Sequence, residues 1–261
     1  MKELKKNSIN FIAGRWPLDS NLPTLVFIHG SGSSNILWQF QVEALAKNIN
    51  TISIDLPGHG KSDGDGMQKI EDYTKSVFDF IQKTEVPQPI PCGLSIGGAI
   101  VQELLLKHQD YFKAGILVNT GAKLKVMPVI FDLIEKDYKG FIQSLYTFGA
   151  SEKSDPSQLK PLVESMEKCP PKIALGDFKA CDSFDVRDQI NQINIPVLVL
   201  TASDDQLTPK KYGAFLSEKI KNSTLKEIKD AGHMSPLEKP EEVSLMIKNF
   251  ILGHFFDKSE Q

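Results

Sequence analysis

A serine between glycines is the first group in this sequence that could act as a nucleophile. Ser95 lies in the stretch Gly93-Leu94-Ser95-Ile96-Gly97, which follows an apolar run and precedes residues with helical spacing. A G-x-S-x-G stretch between a strand and a helix is the pattern of a nucleophile elbow, whose glycines permit a tight turn that exposes the serine hydroxyl. The same pattern also fits a glycine-rich turn with an incidental serine. The choice between these two interpretations depends on whether the sequence also provides a base and an acid for Ser95.

A serine hydroxyl is a weak nucleophile, and it requires a base that an acid holds in place. Two histidines follow Ser95 at useful positions, His233 and His254. His254 lies in the charged C-terminal tail, where we expect it to be exposed to solvent. His233 comes directly after a predicted strand, and a loop at the carboxyl end of that strand would bring it to Ser95. His233 is therefore the predicted base, and its alternative role is that of a loop residue that caps the next helix.

Two adjacent aspartates compete for the role of the acid. Asp204 and Asp205 follow a predicted strand and precede a helix that begins near Pro209. Counted back from that proline, Asp205 is the first residue of a D-x-x-T-P stretch. This spacing favours Asp205 over Asp204 as the acid. Asp204 would then be an exposed residue that forms the turn.

Backbone amides that could stabilise a developing oxyanion are expected in the turn HGSGS at residues 29–33, which follows another predicted strand. Glycines on both sides of Ser31 keep side chains out of the space that a substrate oxygen would occupy. The predicted donors are the N–H of Ser31 and the N–H of Ile96, the residue after the nucleophile. One such donor contributes about 2.7–4 kcal/mol of transition-state stabilisation.

The elements that must position these residues are short β-branched runs that alternate with segments of helical spacing. This alternation predicts an α/β fold, with a mostly parallel sheet and helices on its faces. The predicted strands are residues 24–28, 51–55, 89–94, 114–119, 196–201 and 225–229, and residues 9–16 are expected to add an antiparallel edge strand. The predicted helices are residues 36–47, 71–83, 99–108, 210–220 and 241–252.

Residues 122–187 interrupt this alternation. They contain no convincing strand, and apolar residues at helical spacing predict helices near residues 127–134, 138–145, 159–166 and 173–181. We therefore expect a helical cap at residues 122–187, inserted into a core domain formed by residues 1–121 and 188–261. Four apolar side chains of the cap are expected either to size an acyl pocket or to pack on the core, namely Met127, Ile130, Phe131 and Phe148.

The sequence resembles the serine hydrolases of the α/β-hydrolase fold. The stretches that carry the resemblance are FIHGSGSS, IDLPGHGKSD, GLSIGGA, LVLTASDDQLTP and AGHMSPLEKPEEV, which are spread over nearly the whole chain. The resemblance implies an eight-stranded, mostly parallel sheet with the inserted helices as a cap over the active site. It also implies that Ser95, Asp205 and His233 form a catalytic triad, and that Ser31 and Ile96 form the oxyanion hole.

Departures from other members of this fold narrow the expected chemistry. Haloalkane dehalogenases and epoxide hydrolases use an aspartate where this chain has Ser95. Carbon–carbon bond hydrolases usually carry Asn and Trp where it has Leu94 and Met234, and proline iminopeptidases typically have Trp in place of Ile96. We therefore expect hydrolysis of carboxylic esters of small to medium acyl groups through an acyl-enzyme. The alternatives are a lactone hydrolase, an acyltransferase or perhydrolase on the same triad, and a ligand-binding member of the fold with low turnover.

Two phosphate-binding motifs are incomplete. The G-K-S stretch at residues 60–62 resembles the end of a P-loop, but that motif would need a glycine where this chain has Asp55. The G-S-G stretch at residues 30–32 resembles the start of a dinucleotide-binding motif, but that motif would need a third glycine where this chain has Asn35. Asp55 is instead expected to stabilise a turn, and His29 and His59 to brace turns.

No metal-binding pattern is present, because the sequence lacks H-E-x-x-H and any cluster of cysteine and histidine. The chain has three cysteines without C-x-x-C spacing, for which we expect reduced and mostly buried thiols, at positions Cys92, Cys169 and Cys181. No metal and no cofactor are therefore predicted.

The composition is that of an ordinary globular protein, with 261 residues, 41% hydrophobic and 24% charged residues, and a formal net charge of −3. This charge gives no electrostatic reason to expect nucleic acid or an anionic membrane as partner. No apolar run approaches the roughly 20 residues of a membrane-spanning helix, and the N-terminus lacks the pattern of a signal peptide. We expect a cytoplasmic enzyme with a small-molecule ester or lactone as substrate, and nothing here predicts an oligomeric state.

Overall fold

A sheet of eight strands organises the chain in the computed structural model, which describes residues 1–255. The strands are β1 (Lys2–Lys6), β2 (Ile9–Ala13), β3 (Thr24–Ile28), β4 (Asn50–Ile54), β5 (Pro89–Leu94), β6 (Gly115–Val118), β7 (Val197–Ala202) and β8 (Ser223–Ile228). Their order across the sheet is β1-β2-β4-β3-β5-β6-β7-β8. Strands β3 to β8 run parallel, whereas β1 and β2 pair antiparallel. The prediction of an α/β fold with a mostly parallel sheet is confirmed.

All six strands predicted from apolar runs form, but the N-terminal prediction needs correction. Strand β2 ends at Ala13 and lies inside the sheet, because β1 adds the edge beyond it. The sequence of β1, KELKK, has no apolar alternation, and its residues are largely exposed. Lysines on an edge strand discourage pairing with another chain, which fits this position.

Ten α-helices are described in residues 1–255. They are α1 (Gln39–Leu45), α2 (Ile70–Lys83), α3 (Ile96–His108), α4 (Pro128–Lys136), α5 (Tyr138–Phe148), α6 (Lys160–Lys168), α7 (Pro171–Ser183), α8 (Lys211–Lys219), α9 (Ser235–Glu238) and α10 (Pro240–Phe255). Two predicted boundaries are corrected. The segment before α1 is a 3₁₀ turn over Asn35–Trp38, and α3 begins at Ile96 rather than at Ala99.

Alternate side chains of the strands bury two apolar layers. In β3, Val26 and Ile28 join the layer that contains α2, α3 and α8, whereas Leu25 and Phe27 join the layer that contains α1 and α10. Full burial of each such side chain is worth about 1.5–3 kcal/mol. Both faces of the sheet are thus covered, and the ends of its strands are the places left for polar chemistry.

Strand β5 contains two prolines, Pro89 and Pro91, and still spans all of the predicted residues 89–94. It pairs with β3 from Pro89 onward but with β6 only from Cys92 onward. The carbonyl of Pro89 accepts a hydrogen bond from Lys113 N, on the β6 side, so the missing N–H groups of Pro89 and Pro91 face that side as well. The prolines are tolerated because they lie before the β6 ladder begins at Cys92.

Residues 122–187, called the insertion below, form α4 to α7 between β6 and β7, as the helical spacing predicted. Their two ends meet, since Val186 N donates to Ala122 O at 2.8 Å and Lys123 forms an antiparallel bridge with Asp185. The division into core and cap domains stays a prediction. Within residues 1–255, every helix is too short or too polar to cross a membrane.

Gly97 of α3 lies against the backbone at the end of β3, and this contact generates a stability prediction. A Cβ added at Gly97 would lie 2.4 Å from Ile28 O and 2.8 Å from His29 O, both backbone atoms that cannot rotate away. We expect Gly97→Ala to lower the free energy of unfolding by about 2 kcal/mol or more, as overpacking does. Urea denaturation followed by circular dichroism measures this loss.

The matched control is Gly253→Ala, in α10, where an added Cβ meets nothing within 4 Å. That variant should keep the wild-type stability or gain up to about 1 kcal/mol from the better helix propensity of alanine. An unfolding midpoint of Gly97→Ala equal to that of the wild type would contradict the packing described for α3.

Candidate active site

Ser95 is the single residue between β5 and α3, and its backbone is strained. Its φ is 57° and its ψ is −117°, a backbone conformation that residues other than glycine rarely adopt. Two hydrogen bonds hold it there, because Ser95 N donates to Val118 O at 3.2 Å and Thr120 Oγ1 donates to Ser95 O at 2.8 Å. The turn also needs Gly93, where an added Cβ would lie 2.1 Å from Gly97 O. The result is a half-buried serine at the carboxyl end of a central strand.

His233 and Asp205 form a buried pair next to the loops that follow β7 and β8. His233 Nδ1 lies 2.9 Å from Asp205 Oδ2, and the residues are 3% and 5% exposed. Asp205 Oδ2 also accepts a hydrogen bond of 2.6 Å from the hydroxyl of Thr208, and Asp205 Oδ1 accepts from the amides of Leu207 and Thr208 at 2.8 Å each. These contacts fix the plane of the carboxylate, which in turn orients the imidazole.

The ionised form of Asp205 is stabilised by its partners. Burial by itself raises the pKa of Asp205, but the charge of His233 and the hydrogen bonds from His233 and Thr208 outweigh burial and leave the pKa below its usual value. A carboxylate that stays charged can keep a proton on His233 Nδ1 and leave Nε2 free to act as a base.

Asn119 fixes the loop that carries His233, and sequence reasoning missed it. It follows β6 with a φ of 44°, a conformation that asparagine tolerates better than most residues. Its Nδ2 donates to His233 O and to Ser235 Oγ, both at 2.9 Å. Asparagine directly after a buried strand was the available signal.

Glu238 ties the same loop to the insertion. Its Oε2 accepts hydrogen bonds from Gly232 N at 2.9 Å, from Ser151 N at 2.9 Å and from Ser154 Oγ at 2.6 Å. Glu238 is 3% exposed, and a buried carboxylate without such donors would be costly. The position of the histidine loop therefore depends on residues 151–154.

Strands β5, β6 and β7 are neighbours, so Ser95, Asn119 and Asp205 follow three adjacent strands at one edge of the sheet. Among the described residues, Ser95 Oγ has no hydrogen bond, and the hydrogen bonds of His233 are made by its Nδ1 and its backbone. The serine and the imidazole Nε2 are thus brought to the same edge without a bond between them. Such a bond often tightens only when substrate is bound.

The predicted oxyanion donors lie at the same edge. A Cβ added at Gly30 would be 3.8 Å from Ser95 Cβ, so the turn that contains Ser31 runs beside the nucleophile candidate. Within residues 1–255, neither Ser31 N nor Ile96 N donates to a protein acceptor. Ile96 begins α3, where the helix dipole adds positive potential. Both amides are therefore available to a bound oxygen atom.

Residues that were weighed against the triad have other surroundings. Asp204 is half-buried rather than exposed, because its Oδ2 accepts a hydrogen bond of 2.5 Å from Ser151 Oγ in the insertion. His254 is exposed, as predicted, but it lies in the last turn of α10, and the rest of the C-terminal tail, residues 256–261, lies outside the described residues. Neither residue is hydrogen-bonded to Ser95.

The predicted bracing role of Asp55 and His29 is confirmed. Asp55 is 1% exposed and accepts hydrogen bonds from Asn35 N at 2.7 Å and Lys61 N at 3.0 Å. His29 Nδ1 contacts Gly30 O at 2.8 Å, and its Nε2 accepts from Leu56 N at 3.0 Å.

Side chains of the insertion lie beside the turn that contains Ser31. A Cβ at Gly32, beside Ser31, would meet atoms of three insertion residues at 3.3 to 3.6 Å, namely Ala174, Met166 and Tyr138. Of the four apolar residues named from the sequence, Met127 and Phe148 are 65% and 53% exposed, so neither packs in the core, and Ile130 and Phe131 are half-buried. Helical spacing identified these helices but not the face that each one turns toward the sheet edge.

A family-wide comparison agrees with this architecture. The sequence profile described as the alpha/beta hydrolase family matches residues 25–244. The chain belongs to the alpha/beta hydrolase family. This family is the one that the motifs of the sequence resembled, and the profile spans β4 to β8 and all of β3 except Thr24.

Individual relatives within the alpha/beta hydrolase family include two kinds of enzyme. The chain is 29% identical to 3-oxoadipate enol-lactonase 2 of Acinetobacter baylyi, over 84% of this chain and 85% of the relative. It is 27% identical to the pimeloyl-[acyl-carrier protein] methyl ester esterase of Vibrio atlanticus, over 78% of this chain and 85% of the relative. The solved enol-lactonase of Burkholderia xenovorans superposes with a TM-score of 0.85 at 20% identity, covering 96% of this chain and 99% of that one, and it shares the fold.

No group of three or more histidine, cysteine, aspartate or glutamate side chains in residues 1–255 is placed to hold a metal ion. The three cysteines are buried and free. Burial raises the pKa of the Cys92 thiol well above its usual range, which leaves it protonated on the strand below Ser95.

The hydroxyl of Thr208 generates a prediction about Asp205. In Thr208→Val the carboxylate loses one of its hydrogen bonds, so the pKa of Asp205 should rise toward its usual value and the fold should lose about 1.5–3 kcal/mol at neutral pH. Because the pKa of Asp205 is lower in the folded state than its value of about 3.9 in the unfolded state, Asp205 stabilises the fold at pH values above about 3.9. This contribution is lost as the pH falls through the folded-state pKa. Carbon-13 NMR titration of Asp205 and urea denaturation at several pH values measure both effects.

Thr208→Ser is the matched control, since it keeps the hydroxyl and should keep the low pKa of Asp205. If Thr208→Val and Thr208→Ser have the same Asp205 titration curve, the hydroxyl does not stabilise the carboxylate.

Proposed function

We propose that this protein, a carboxylic-ester hydrolase, cleaves esters of small to medium acyl groups with Ser95 as nucleophile, His233 as general base and Asp205 as the acid that orients the base. The observation that carries this proposal is the buried bond of 2.9 Å between His233 Nδ1 and Asp205 Oδ2, at the sheet edge where the strained Ser95 lies. The three proposed roles follow the chain order of nucleophile, acid and histidine that α/β-hydrolases use, which supports the proposal.

In the proposed reaction, Ser95 Oγ attacks the ester carbonyl carbon while its proton passes to His233 Nε2. The carbonyl oxygen becomes an oxyanion, which receives hydrogen bonds from the N–H groups of Ser31 and Ile96. Collapse of this intermediate breaks the bond to the alcohol oxygen, and His233 returns the proton to the departing alcohol. Water then attacks the acyl-enzyme with His233 as base, and this step frees the carboxylic acid and Ser95.

Asp205 supports this cycle through the tautomer of the imidazole. A proton on Nδ1 directed at the carboxylate leaves the Nε2 lone pair for the serine proton, and the negative charge stabilises the imidazolium that forms. Thr208 and the two backbone amides on Asp205 keep the carboxylate in the plane that this bond requires.

Lactone hydrolysis is the second candidate, because a lactone is an internal ester and the same steps open it. The observation that favours it is the 29% identity with an enol-lactonase, although a methyl ester esterase is similar at 27%. Comparison of kcat/KM for linear esters and lactones of equal carbon number separates the two. Product analysis with added alcohol or thiol separates both from an acyltransferase, which would form a new ester or thioester in preference to the acid.

The role of Ser95 is tested by Ser95→Ala. The variant lacks the attacking oxygen, so kcat for p-nitrophenyl acetate and p-nitrophenyl butyrate should fall by at least about 10⁴-fold. A stopped assay of nitrophenolate release, corrected for spontaneous hydrolysis, measures the change, and circular dichroism checks that the variant is folded.

Ser76→Ala is the control, because Ser76 is a half-buried serine on α2 that takes no part in the hydrogen bonds described for the site. It should turn over both esters at the wild-type rate. Turnover by Ser95→Ala within tenfold of the wild type would rule out the proposed mechanism. Undetectable turnover of every ester and lactone by the wild type would favour a ligand-binding member of the fold.

A further inference from the structure

A second buried histidine–carboxylate pair joins the insertion to the turn that contains Ser31. Asp177, on α7, accepts hydrogen bonds at Oδ2 from Gly32 N and His59 Nε2, at 2.8 Å each, and at Oδ1 from Tyr73 OH at 2.6 Å. Asp177, His59 and Tyr73 are all 0% exposed. These donors come from three separate parts of the core, while Asp177 is the one member from the insertion.

The contacts of His59 favour its charged form. His59 Nδ1 lies 3.1 Å from Pro57 O, an atom that can only accept, so Nδ1 carries a proton, and Nε2 faces the carboxylate. Burial opposes a charged imidazole, but the charge and hydrogen bond of Asp177 raise the pKa of His59 above its usual value. A buried carboxylate with three donors and a cationic partner is held strongly, because loss of any partner would leave a charge unpaired.

The geometry of the turn links Asp177 to the oxyanion donors. The N–H of Ser31 shares a planar peptide unit with Gly30 O, which contacts His29 Nδ1 at 2.8 Å and accepts from Ser33 N at 3.2 Å. The next peptide unit contains the N–H of Gly32, which Asp177 holds. Contacts within the core therefore fix the Gly30–Ser31 peptide plane, and Asp177 of the insertion fixes the next one, the Ser31–Gly32 plane.

His29 is kept in the form that this arrangement needs. Burial and the neighbouring charge of His59, whose ring centre is 4.9 Å away, lower the pKa of His29 to about 3. The neutral ring can donate from Nδ1 to Gly30 O and accept from Leu56 N at Nε2. Both histidines therefore have distinct charge states with defined acceptors.

We propose that Asp177 is a positioning residue for the oxyanion hole, through which helix α7 of the insertion holds the Ser31–Gly32 turn in the orientation that stabilises the transition state. The inference rests on the proposed role of the Ser31 N–H. Because an oxyanion forms only during reaction, a misplaced turn should lower kcat and leave substrate binding nearly unchanged.

Asp177→Asn tests the proposal, because the amide keeps the size of the side chain and removes its charge. We expect kcat for p-nitrophenyl butyrate to fall by about 10- to 100-fold, as small misplacements of catalytic groups do, with KM within about twofold of the wild type. Inhibition by a trifluoromethyl ketone, whose adduct with Ser95 would carry an oxyanion, should weaken by a similar factor. The amide proton resonance of Gly32 should move upfield as its carboxylate acceptor is lost.

The matched control is Asp182→Asn, the same chemical change on the same helix. Asp182 pairs with Lys125 and Val126 N, both within the insertion, so this variant should keep the wild-type kcat. Tyr73→Phe is the second test if Asp177→Asn does not fold. It removes one donor and keeps the charge, and kcat should fall a few-fold, with KM unchanged and a smaller shift of the Gly32 resonance.

Two results with Asp177→Asn would overturn the proposal, namely a folded variant with the wild-type kcat and a variant in which only KM changes. If only Tyr73→Phe folds, a shifted Gly32 resonance with an unchanged kcat would overturn it. The proposed function fails separately if the wild type hydrolyses esters but the trifluoromethyl ketone forms no adduct with Ser95, and that result would remove the basis of this inference as well.

Discussion

The backbone of Ser95 occupies a conformation that costs a residue other than glycine about 1–3 kcal/mol, and the rest of the site is arranged around it. The turn is kept by the β5–β6 ladder, by the hydroxyl of Thr120 and by glycines that let α3 begin at once. The strain is useful, because it leaves the serine side chain without a hydrogen bond among the described residues while α3 begins at the next residue, Ile96. A relaxed turn would give up both.

Two buried carboxylates connect this turn with the rest of the molecule. Asp205 holds His233 on one side of Ser95, and Asp177 holds the turn of Ser31 on the other. Each carboxylate is paired with a histidine, but only the imidazole of His233 has a nitrogen without a protein acceptor among the described residues. One pair is therefore suited to proton transfer, and the other to holding structure.

The insertion is hydrogen-bonded to both sides of the candidate site. Its residues Ser151 and Ser154 bond to Glu238 beside the histidine loop, and Asp177 bonds to Gly32. Insertions that supply pocket walls can also set the geometry of the chemistry below them. In this chain that coupling depends on hydrogen bonds to buried carboxylates, which are costly to leave unpaired.

The strands and the candidate triad could be predicted from the sequence because each depends on local patterns. Apolar runs identified the buried strands, and motif spacing distinguished Asp205 from Asp204. Strand β1 was missed because it is charged and pairs only on one side. The role of Asp177 was missed because its position in the sequence is that of an ordinary polar residue on an amphipathic helix. Its hydrogen-bond partners lie more than a hundred residues away in the chain.

The exposed Met127 and Phe148 illustrate the same limit of local patterns. Helical spacing identifies an apolar face, but the neighbour that covers this face depends on how helices pack, which spacing does not specify. The residues that do approach the Ser31 turn, among them Met166 and Tyr138, belong to the same helical patterns. Local sequence therefore identified the Asp205–His233 pair, but not how the helices of the insertion pack.

Covalent labelling of Ser95 tests the central claim most directly. The wild type is treated with a fluorophosphonate, and intact-protein and peptide mass spectrometry locate the adduct. The account predicts one adduct per chain on Ser95, formed in parallel with loss of esterase activity, and much slower labelling in His233→Ala. Loss of activity without an adduct on Ser95, or labelling at the same rate without His233, would contradict it.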